Sequence, residues 1–197
     1  MSEYTLIGFD QASIINDLAN MLQAQQSSVS IINPEDFLTG NNTVGQKYIV
    51  CVTRDLDLRY KIISFLDHNN LTRGTFVHPD CWIDPTAKIG EGSFVGPFCT
   101  VACGAVLEKD VIVGPYTMIS HKAQIGQGTL IHTGALIAGS TTIGKRCIVN
   151  IRAALVDKIT ICDNVIVGAN SLVTKNISIP GMYLGSPARK STNASRS

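Results

Sequence analysis

The sequence predicts a small α/β domain at residues 1–75, followed by a parallel β-helix of hexapeptide repeats at residues 76–190. The main observation behind this prediction is an unbroken six-residue period of aliphatic side chains in the second region. The other is an alternation of apolar strand and helix patterns in the first region. The last residues, 191–197, are small and polar, and we expect them to form a disordered tail.

The six-residue period begins at Val77 and continues to Val173. Every sixth residue in this range is Val, Ile or Leu, which makes 17 consecutive hexads without an insertion. The fifth place of the hexad is mostly Ala, Ser, Thr or Cys. Short strands joined by sharp corners, each buried on one face, explain one aliphatic and one small inward residue in every six. An amphipathic helix would instead need apolar residues at steps of three and four.

Three hexads make one triangular coil, so residues 18 apart are expected to lie over one another. Their separation is then about 4.8 Å, the spacing of neighbouring strands. Seventeen hexads correspond to between five and six coils. Because such a stack has open ends and flat sides, we expect it to associate with further copies along a side.

The first region has the predicted order β-α-β-β-α, which is typical of a small Rossmann-like parallel sheet. Strands are predicted at Tyr4–Gly8, Val29–Ile32 and Lys47–Val52, and helices from Ile14 to Leu22 and from Asp55 to His68. Ligands of such sheets bind beyond the carboxyl ends of the strands. In this sequence those ends lie near Gly8, Asn33 and Arg54.

Composition and charge exclude several classes of protein. Sixteen basic and fifteen acidic residues give a net charge of +1, and no basic run exceeds two residues, so no nucleic-acid surface is expected. No stretch approaches the roughly 18 apolar residues of a membrane helix. The start of the sequence lacks a signal-peptide pattern, so we expect a cytoplasmic protein with no membrane partner. The six cysteines contain no CxxC pair, and we expect reduced, buried thiols.

Several strings in the chain resemble those of one group of bacterial enzymes. They are ISHKAQ leading into IGQGTL, HTGALIAGSTTIGKRC, DNVIVGANSLVTKN and the closing GSPARK. The resemblance covers nearly the whole chain and is to the sialic-acid O-acetyltransferase and UDP-4-amino-sugar N-acetyltransferase family of hexapeptide-repeat acyltransferases. It implies a left-handed β-helix, a homotrimer, acetyl-CoA as the acyl donor and a nucleotide-linked amino sugar as the acceptor.

The resemblance assigns the general base to His121. In the family, a histidine at the third place of its hexad lies on a corner beside the subunit seam and removes the proton of the acceptor. Imidazole suits this role because it exchanges a proton near neutral pH. The 18-residue coil places His121 beneath Gly139, where the family has a backbone segment that contacts the thioester end of CoA.

The same resemblance assigns a path to the cofactor. The family's pantetheine arm runs over positions that match Ile151 and Ala169 and ends near the closing motif. The 18-residue coil aligns Thr133, Ile151, Ala169 and Pro187 along one edge. Arg189 and Lys190 are then expected to meet the CoA phosphates through charge-assisted hydrogen bonds.

Three positions differ from the family's pattern. Lys122 replaces an acidic residue after the base, Leu130 replaces a second histidine near the acyl carbonyl, and Gly114 replaces an asparagine. His132 lies two residues from the replaced histidine, but its place in the hexad gives it another direction. We therefore expect His132 to be a bystander.

The resemblance also implies a nucleotide-sugar site in the first domain. The family has a glycine-rich turn after the first strand, whereas this chain has GFDQAS, with Gly8 alone. Candidate contacts are the backbone at Gly8, which precedes a helix start suited to phosphate, with Asp10, Asn33 and Arg59. For Asp10 and Arg59, solvated surface charge is the simpler expectation.

Two other functions are left open. The γ-class carbonic anhydrases share this solenoid but need three histidines that converge on zinc. Here only His121 and His132 lie within the central coils, 11 residues apart, so no metal is expected. A non-catalytic trimeric binding or scaffold protein would be consistent with Lys122, Leu130 and Gly114. Transfer to a sugar hydroxyl rather than an amine is also open.

Overall fold

The computed structural model describes residues 3–8, 13–40 and 47–192. The chain divides into two compact units, Met1–Thr75 and Phe76–Ser197, which are described separately. No helix in the described ranges combines the length and the apolar character needed to cross a membrane.

The first unit is a three-stranded parallel sheet with helices. Its elements are β1 (Glu3–Ile7), α1 (Ser13–Ala24), β2 (Ser28–Ile32), α2 (Pro34–Leu38), β3 (Lys47–Val50) and α3 (Leu56–His68). The strand order is β2-β1-β3, and both pairs are parallel, as predicted. The short α2 was not predicted. It begins after Asn33, whose side chain accepts a hydrogen bond from Glu35 N at 2.9 Å, and Pro34 fits its first turn.

Aromatic side chains join the helices of this unit to its sheet. The ring of Phe37 on α2 lies 5.3 Å from that of Tyr48 on β3 and 5.3 Å from that of Phe65 on α3. Ile62 and Leu66 complete the buried face of α3. These contacts hold α2 and α3 against the same region of the sheet.

The second unit is a β-solenoid of about six turns. Its strands are Phe76–Val77 (β4), Trp82–Ile83 (β5), Lys88–Ile89 (β6), Phe94–Val95 (β7), Thr100–Val101 (β8), Val106–Leu107 (β9), Ile112–Val113 (β10), Met118–Ile119 (β11), Gln124–Ile125 (β12), Leu130–Ile131 (β13), Leu136–Ile137 (β14), Thr142–Ile143 (β15), Ile148–Val149 (β16), Ala154–Leu155 (β17), Thr160–Ile161 (β18), Val165–Val167 (β19), Leu172–Val173 (β20), Gly181–Leu184 (β21) and Arg189–Lys190 (β22).

Every third strand stacks, which gives three sheets. Face I contains β4, β7, β10, β13, β16, β19, β21 and β22; face II contains β5, β8, β11, β14, β17 and β20; face III contains β6, β9, β12, β15 and β18. Paired residues are 18 apart, as in Val113 with Ile131 on face I. The predicted coil is therefore confirmed from β4 to β20.

The interior of the solenoid is lined as the hexad predicts. The aliphatic residues of the period, such as Ile131 and Ile137, are fully buried. The small fifth-place residues include hydroxyls that donate to carbonyl oxygens within the stack, such as Thr129 Oγ1 to Gly144 O at 2.8 Å. Thr141 repeats this contact two thirds of a coil further, to Val156 O at 2.9 Å. Buried hydroxyls therefore cost little, because each has an acceptor.

All six cysteines are free thiols. Burial raises the pKa of Cys99 to about 11 and that of Cys147 to about 12, so both are protonated, inert core residues. Cys51 is also buried, as expected. Cys103 differs from the prediction because it is exposed on a corner.

The last coil is two residues shorter than the others. Val167 pairs with Tyr183, and Ile161 bridges Ile177, in each case 16 residues apart. The hexad that begins at Val173 is thus incomplete, because only Thr174–Asn176 separate Val173 from Ile177. The chain then reverses, and β22 runs antiparallel to β21.

Because the last coil is shorter, Pro187 does not lie where the 18-residue period predicts. Gly185 N donates to Ser171 Oγ at 3.0 Å, and Ala188 N donates to Leu172 O at 2.8 Å. Pro187 therefore lies beside the start of β20 on face II and not above Ala169.

Candidate active site

The turns between faces II and III form one edge of the solenoid, called here the histidine corner. Its outward column consists of the third-place residues Cys103, His121, Gly139 and Asp157. Backbone hydrogen bonds fix the register of this column. Ser140 N donates to His121 O at 2.8 Å, and Lys158 N donates to Gly139 O at 3.0 Å.

The imidazole of His121 lies against Gly139 in the next coil. A methyl group added to Gly139 would overlap Cε1 and Nε2 of the ring and would approach Nδ1 to 2.9 Å. The backbone of Gly139 is not in the left-handed region, so the ring and not the turn requires glycine here. The structure thus brings together His121 and Gly139, the pair that the coil length predicts.

Gly139 also offers a hydrogen-bond donor. Its carbonyl accepts from Lys158 N, but its own N–H has no acceptor among residues 3–8, 13–40 and 47–192. The exposed imidazole and this N–H therefore lie side by side on one corner. Gly139 is itself buried beneath the ring. A base next to an amide donor that has no acceptor is the arrangement that can deprotonate a nucleophile and stabilise an oxyanion.

Lys122 does not share the direction of the neighbouring imidazole. Its backbone has a φ of 57°, and its Cγ lies 3.5 Å from where a Cβ of Gly104 would be, in the coil below. His121 lies against the coil above. The two side chains diverge, so the lysine that replaces the family's acidic residue leaves the ring uncovered.

The turns between faces I and II form a second edge, called the ridge corner. Its column contains Thr133, Ile151 and Ala169. Ile151 is 50% exposed, although it is a large aliphatic residue. Within the described part of the chain, the N–H groups of Ile151 and Ala169 have no acceptor. The ridge corner therefore combines apolar surface with open backbone donors.

The third edge, between faces III and I, differs from both and is called the capped corner. At the same place of the hexad, Gln127 N donates to Glu108 Oε2 at 2.8 Å and Lys145 N donates to Asp163 Oδ1 at 2.8 Å. Carboxylates thus satisfy these two donors. The turn is the same at all three corners. Among the described residues, the open N–H groups of the histidine and ridge corners lack an acceptor because no neighbouring side chain supplies one.

The other two departures from the family's pattern, Leu130 and Gly114, lie away from the histidine corner. Leu130 is buried in β13 on face I. A Cβ at Gly114 would approach Thr133 N to 2.7 Å, so the close passage of the next coil requires glycine there. His132 lies on the ridge corner, and burial lowers the pKa of its imidazole. His132 is therefore neutral near pH 7 and is not grouped with His121.

A cavity of about 270 Å³ lies at the C-terminal end of the solenoid. Its lining includes three cationic side chains, those of Lys175, Arg189 and Lys190. It lies three coils beyond His121, which corresponds to about 14 Å along the solenoid axis. Lys175 was not predicted as a site residue, because Val173 continues the six-residue period and the shortened corner after it was not expected.

In the first unit, the predicted contacts have structural roles. A Cβ at Gly8 would approach Ile15 Cδ1 to 2.9 Å, so the packing of α1 requires glycine there. The side chain of Asn33 caps α2. Arg59 is fully buried and its Nη1 donates to Val50 O at 2.6 Å and Val52 O at 3.2 Å, so the expectation of surface charge is wrong for this residue. Asp10 lies outside the described residues.

Among the described residues, no group of three or more His, Cys, Asp or Glu side chains is arranged to hold a metal ion. The four histidines do not converge.

Comparison with solved structures identifies the fold. The chain is similar to the acetyltransferase domain of PglB from Neisseria gonorrhoeae, with 22% identity, a TM-score of 0.85 and coverage of 96% of this chain and 100% of that one. It is similar to PerB from Caulobacter crescentus, solved with CoA and GDP-perosamine, with 18% identity, a TM-score of 0.83 and coverage of 96% and 97%. It is also similar to WeeI from Acinetobacter baumannii, with 15% identity, a TM-score of 0.56 and coverage of 96% and 99%.

These similarities confirm the predicted resemblance at the level of the fold, over nearly the whole chain. A comparison with curated proteins gives no match. Residues 73–186 match the family model described as the GMPPB C-terminal domain. Because this model matches more than half of the chain, the chain belongs to the GMPPB C-terminal domain family.

Proposed function

We propose that this protein is an acetyl-CoA-dependent N-acetyltransferase that acts on the amino group of a nucleotide-linked amino sugar, with His121 as the general base. The observation that carries the proposal is the exposed imidazole of His121 beside the open N–H of Gly139. Two fold neighbours support the reaction class: PerB was solved with CoA and GDP-perosamine, and the PglB domain was solved with acetyl coenzyme A.

The proposed reaction is a direct acyl transfer. The amine nitrogen of the sugar attacks the thioester carbonyl, and the Gly139 N–H donates to the oxyanion that develops on the carbonyl oxygen. His121 takes the proton that the attacking nitrogen loses. The carbon–sulfur bond then breaks, and the imidazolium returns its proton to the CoA thiolate. The products are the N-acetyl sugar and CoA.

The ridge corner and the C-terminal cavity suit the remainder of the cofactor. The open N–H groups of Ile151 and Ala169 match the amide carbonyls of a pantetheine arm. Arg189 and Lys190, joined by Lys175, supply cations for the phosphates. Pro187 lies in the turn that leads to Arg189, so the arm would pass it on the way to the cavity.

A homotrimer would complete this site. Exposed apolar residues collect on face II and the ridge corner: Trp82, Phe98, Tyr116, Met118, Leu136 and Ile151. A contiguous apolar surface of this kind is typical of a subunit interface. In a trimer of left-handed β-helices packed through this surface, the histidine corner of one copy faces the ridge corner of the next. The base and the cofactor ridge would then come from different copies.

The nucleotide is proposed to bind at the carboxyl edge of the first unit. The chain leaves β1 towards β2 on one side and leaves β3 towards Arg73, which bridges Tyr48, on the other side, so a crevice is expected between β1 and β3. Gly8 borders this crevice, Asn33 lies at the end of β2, and Arg59 stabilises the end of β3 from within. Asp10 lies outside the described residues and stays a sequence-based candidate.

The His121→Ala variant tests the proposal. With acetyl-CoA and a nucleotide-linked 4-amino sugar, we expect kcat to fall by about 10² to 10⁴, the range for loss of a general base. The KM for acetyl-CoA should change little, because the imidazole acts after binding. Mass spectrometry of the product, with and without hydroxylamine, separates an amide from an ester. Unchanged turnover would eliminate His121 as the base.

Thermal shift with CoA distinguishes the scaffold alternative. A ligand at 100 times its Kd stabilises the folded state by about 2.7 kcal/mol. We expect acetyl-CoA to raise the Tm of the native protein and of His121→Ala alike. A protein that responds to no CoA ester would be a binding or scaffold protein instead.

A further inference from the structure

We propose that Asp157 is the positioning residue for His121, holding the imidazole through a hydrogen bond from the ring nitrogen that does not face the substrate. The inference rests on the proposed function of His121. An imidazole base needs such an acceptor, because its two nitrogens must be kept in defined roles. Lys122, next to His121 in sequence, carries no acceptor on its side chain.

The column of the histidine corner places Asp157 on the far side of the ring. His121, Gly139 and Asp157 occupy the same place in three successive coils. The ring fills the space that a side chain of Gly139 would occupy, so it already spans one coil. Lys158 N donates to Gly139 O at 3.0 Å, which fixes the turn that carries Asp157 one coil above Gly139.

The gap between the ring of His121 and the backbone of Asp157 has the size that an aspartate side chain can span. Neighbouring coils are about 4.8 Å apart, so the Cβ of Asp157 lies about that far from the ring edge. The rest of an aspartate side chain covers about half of this gap and leaves a hydrogen-bond distance to the ring. A longer spacing would have needed glutamate, and a side chain at position 139 would have blocked the path.

The carboxylate of Asp157 is available for this contact. It lies 3.9 Å from Lys158 Nζ, and the two side chains are 64% and 81% exposed. An exposed ion pair of this length contributes little to stability. Rotation of the Asp157 side chain from Lys158 towards the ring therefore costs little.

The charges around the ring leave Asp157 without a competitor. The titratable groups on this corner, from two coils below His121 to three coils above it, are those of Asp84, Cys103, Lys122, Asp157, Lys158 and Lys175. Lys122 leans towards the coil below. Asp84 lies two coils below His121, where its carboxylate accepts from Thr86 N at 2.8 Å. Asp157 lies above Gly139, on the side to which the ring of His121 extends, so it is the carboxylate that can accept from the imidazole and stabilise its protonated form.

The proposed contact between Asp157 and His121 should change how kcat depends on pH. Activity rises with pH as the base loses its proton, and a neighbouring carboxylate holds that proton more firmly. In Asp157→Asn we expect the acidic limb of the kcat profile to move by about 0.5 to 1 pH unit to lower pH. The plateau of kcat should fall about tenfold, while KM stays unchanged.

Two further variants separate this role from a general charge effect. Asp157→Glu keeps the negative charge and should return the acidic limb of the kcat profile towards its native position. Glu91→Gln removes one negative charge from the capped corner, where Glu91 lies 3.2 Å from Lys109, and should leave the profile native. A profile that is equally shifted in Glu91→Gln and Asp157→Asn would overturn the proposal.

A titration of the His121 ring by NMR decides the proposal without turnover. In the protein without ligand, we expect the midpoint of ring protonation to move to lower pH in Asp157→Asn and to stay in place in Glu91→Gln. Backbone shifts elsewhere report whether the fold is retained. A moved midpoint supports the pairing even if no acyl transfer is found, and an unmoved midpoint overturns it even if the enzyme is active.

Discussion

The capped corner and the histidine corner are built from the same turn but treat its N–H group differently. At the capped corner, Glu108 and Asp163 accept from the N–H groups of Gln127 and Lys145. At the histidine corner, the corresponding N–H of Gly139 has no acceptor in the described part of the chain. The hexad therefore supplies a donor at every corner, and the side chains decide whether it is free to bind a ligand.

The comparison also explains the position of the apolar surface. Among the described residues, no carboxylate caps a third-place N–H of the histidine corner or the ridge corner, and both corners border face II, where the large exposed apolar residues lie. The capped corner lies opposite face II, between faces I and III. The proposed binding groups and the proposed interface thus occupy one side of the solenoid.

The largest effect is expected when the space next to the open donor is filled. In Gly139→Ala the new methyl group displaces the imidazole of His121, while the backbone conformation remains accessible to alanine. We expect kcat to fall by about 10² to 10⁴, as in loss of the base. Steady-state kinetics measure the loss. The double variant His121→Ala/Gly139→Ala should be no slower than Gly139→Ala, and a further large loss would show that the two residues act separately.

A smaller effect is expected when a carboxylate that can cap the Gly139 N–H is introduced at the histidine corner. Glu108 precedes the residue that it caps by 19 positions, and Ser120 has the same relation to Gly139. In Ser120→Glu the carboxylate should therefore occupy the Gly139 N–H, and we expect kcat to fall by about 10² to 10³, the effect of losing one oxyanion donor.

Ser120→Ala is the matched control for this transfer of the cap. It removes the hydroxyl without adding an acceptor and should retain native kcat. If Ser120→Glu is as active as Ser120→Ala, then the open N–H of Gly139 has no part in the reaction.

The smallest effect concerns the histidine of the ridge corner. Burial lowers the pKa of His132 below its ordinary value of 6.5. The unfolded chain therefore binds a proton at a higher pH than the folded protein does. Stability from this group is present above about pH 6.5 and is lost as pH falls through that value towards the folded pKa.

The variant His132→Gln should remove this dependence. Between pH 7 and pH 5, the native protein should lose up to about 1 kcal/mol of unfolding free energy relative to the variant. Denaturant melts at the two pH values measure the difference. Equal losses in both proteins would show that His132 does not contribute.

The coils could be predicted from the sequence because an aliphatic residue recurs at every sixth position through most of the second unit. A repeat of this length is recognisable whatever residues occupy the positions between. The pairing of His121 with Gly139 follows from that period alone. The shortening of the last coil could not be predicted, because Val173 continues the six-residue period while the corner after it, Thr174–Asn176, is shorter than the others. The arrival of Ile177 four residues after Val173 is the one sign of it in the sequence.

The parts that escaped prediction depend on hydrogen-bond partners, which residue types do not specify. Arg59 is charged and helical, and its burial becomes reasonable only when the carbonyl groups of Val50 and Val52 are seen to accept from it. The open N–H of Gly139 is invisible in the sequence for the same reason. Asp157 was within reach, since it follows His121 by twice the coil length.

The reversal of the chain after β21 limits how the protein can grow. A solenoid that ended on a parallel strand would present a row of unpaired backbone groups on which another copy could add. Here the outermost strand is the short antiparallel β22, and its residues are Arg189 and Lys190. Two positive charges on so short an edge oppose the addition of a further strand to face I at that end.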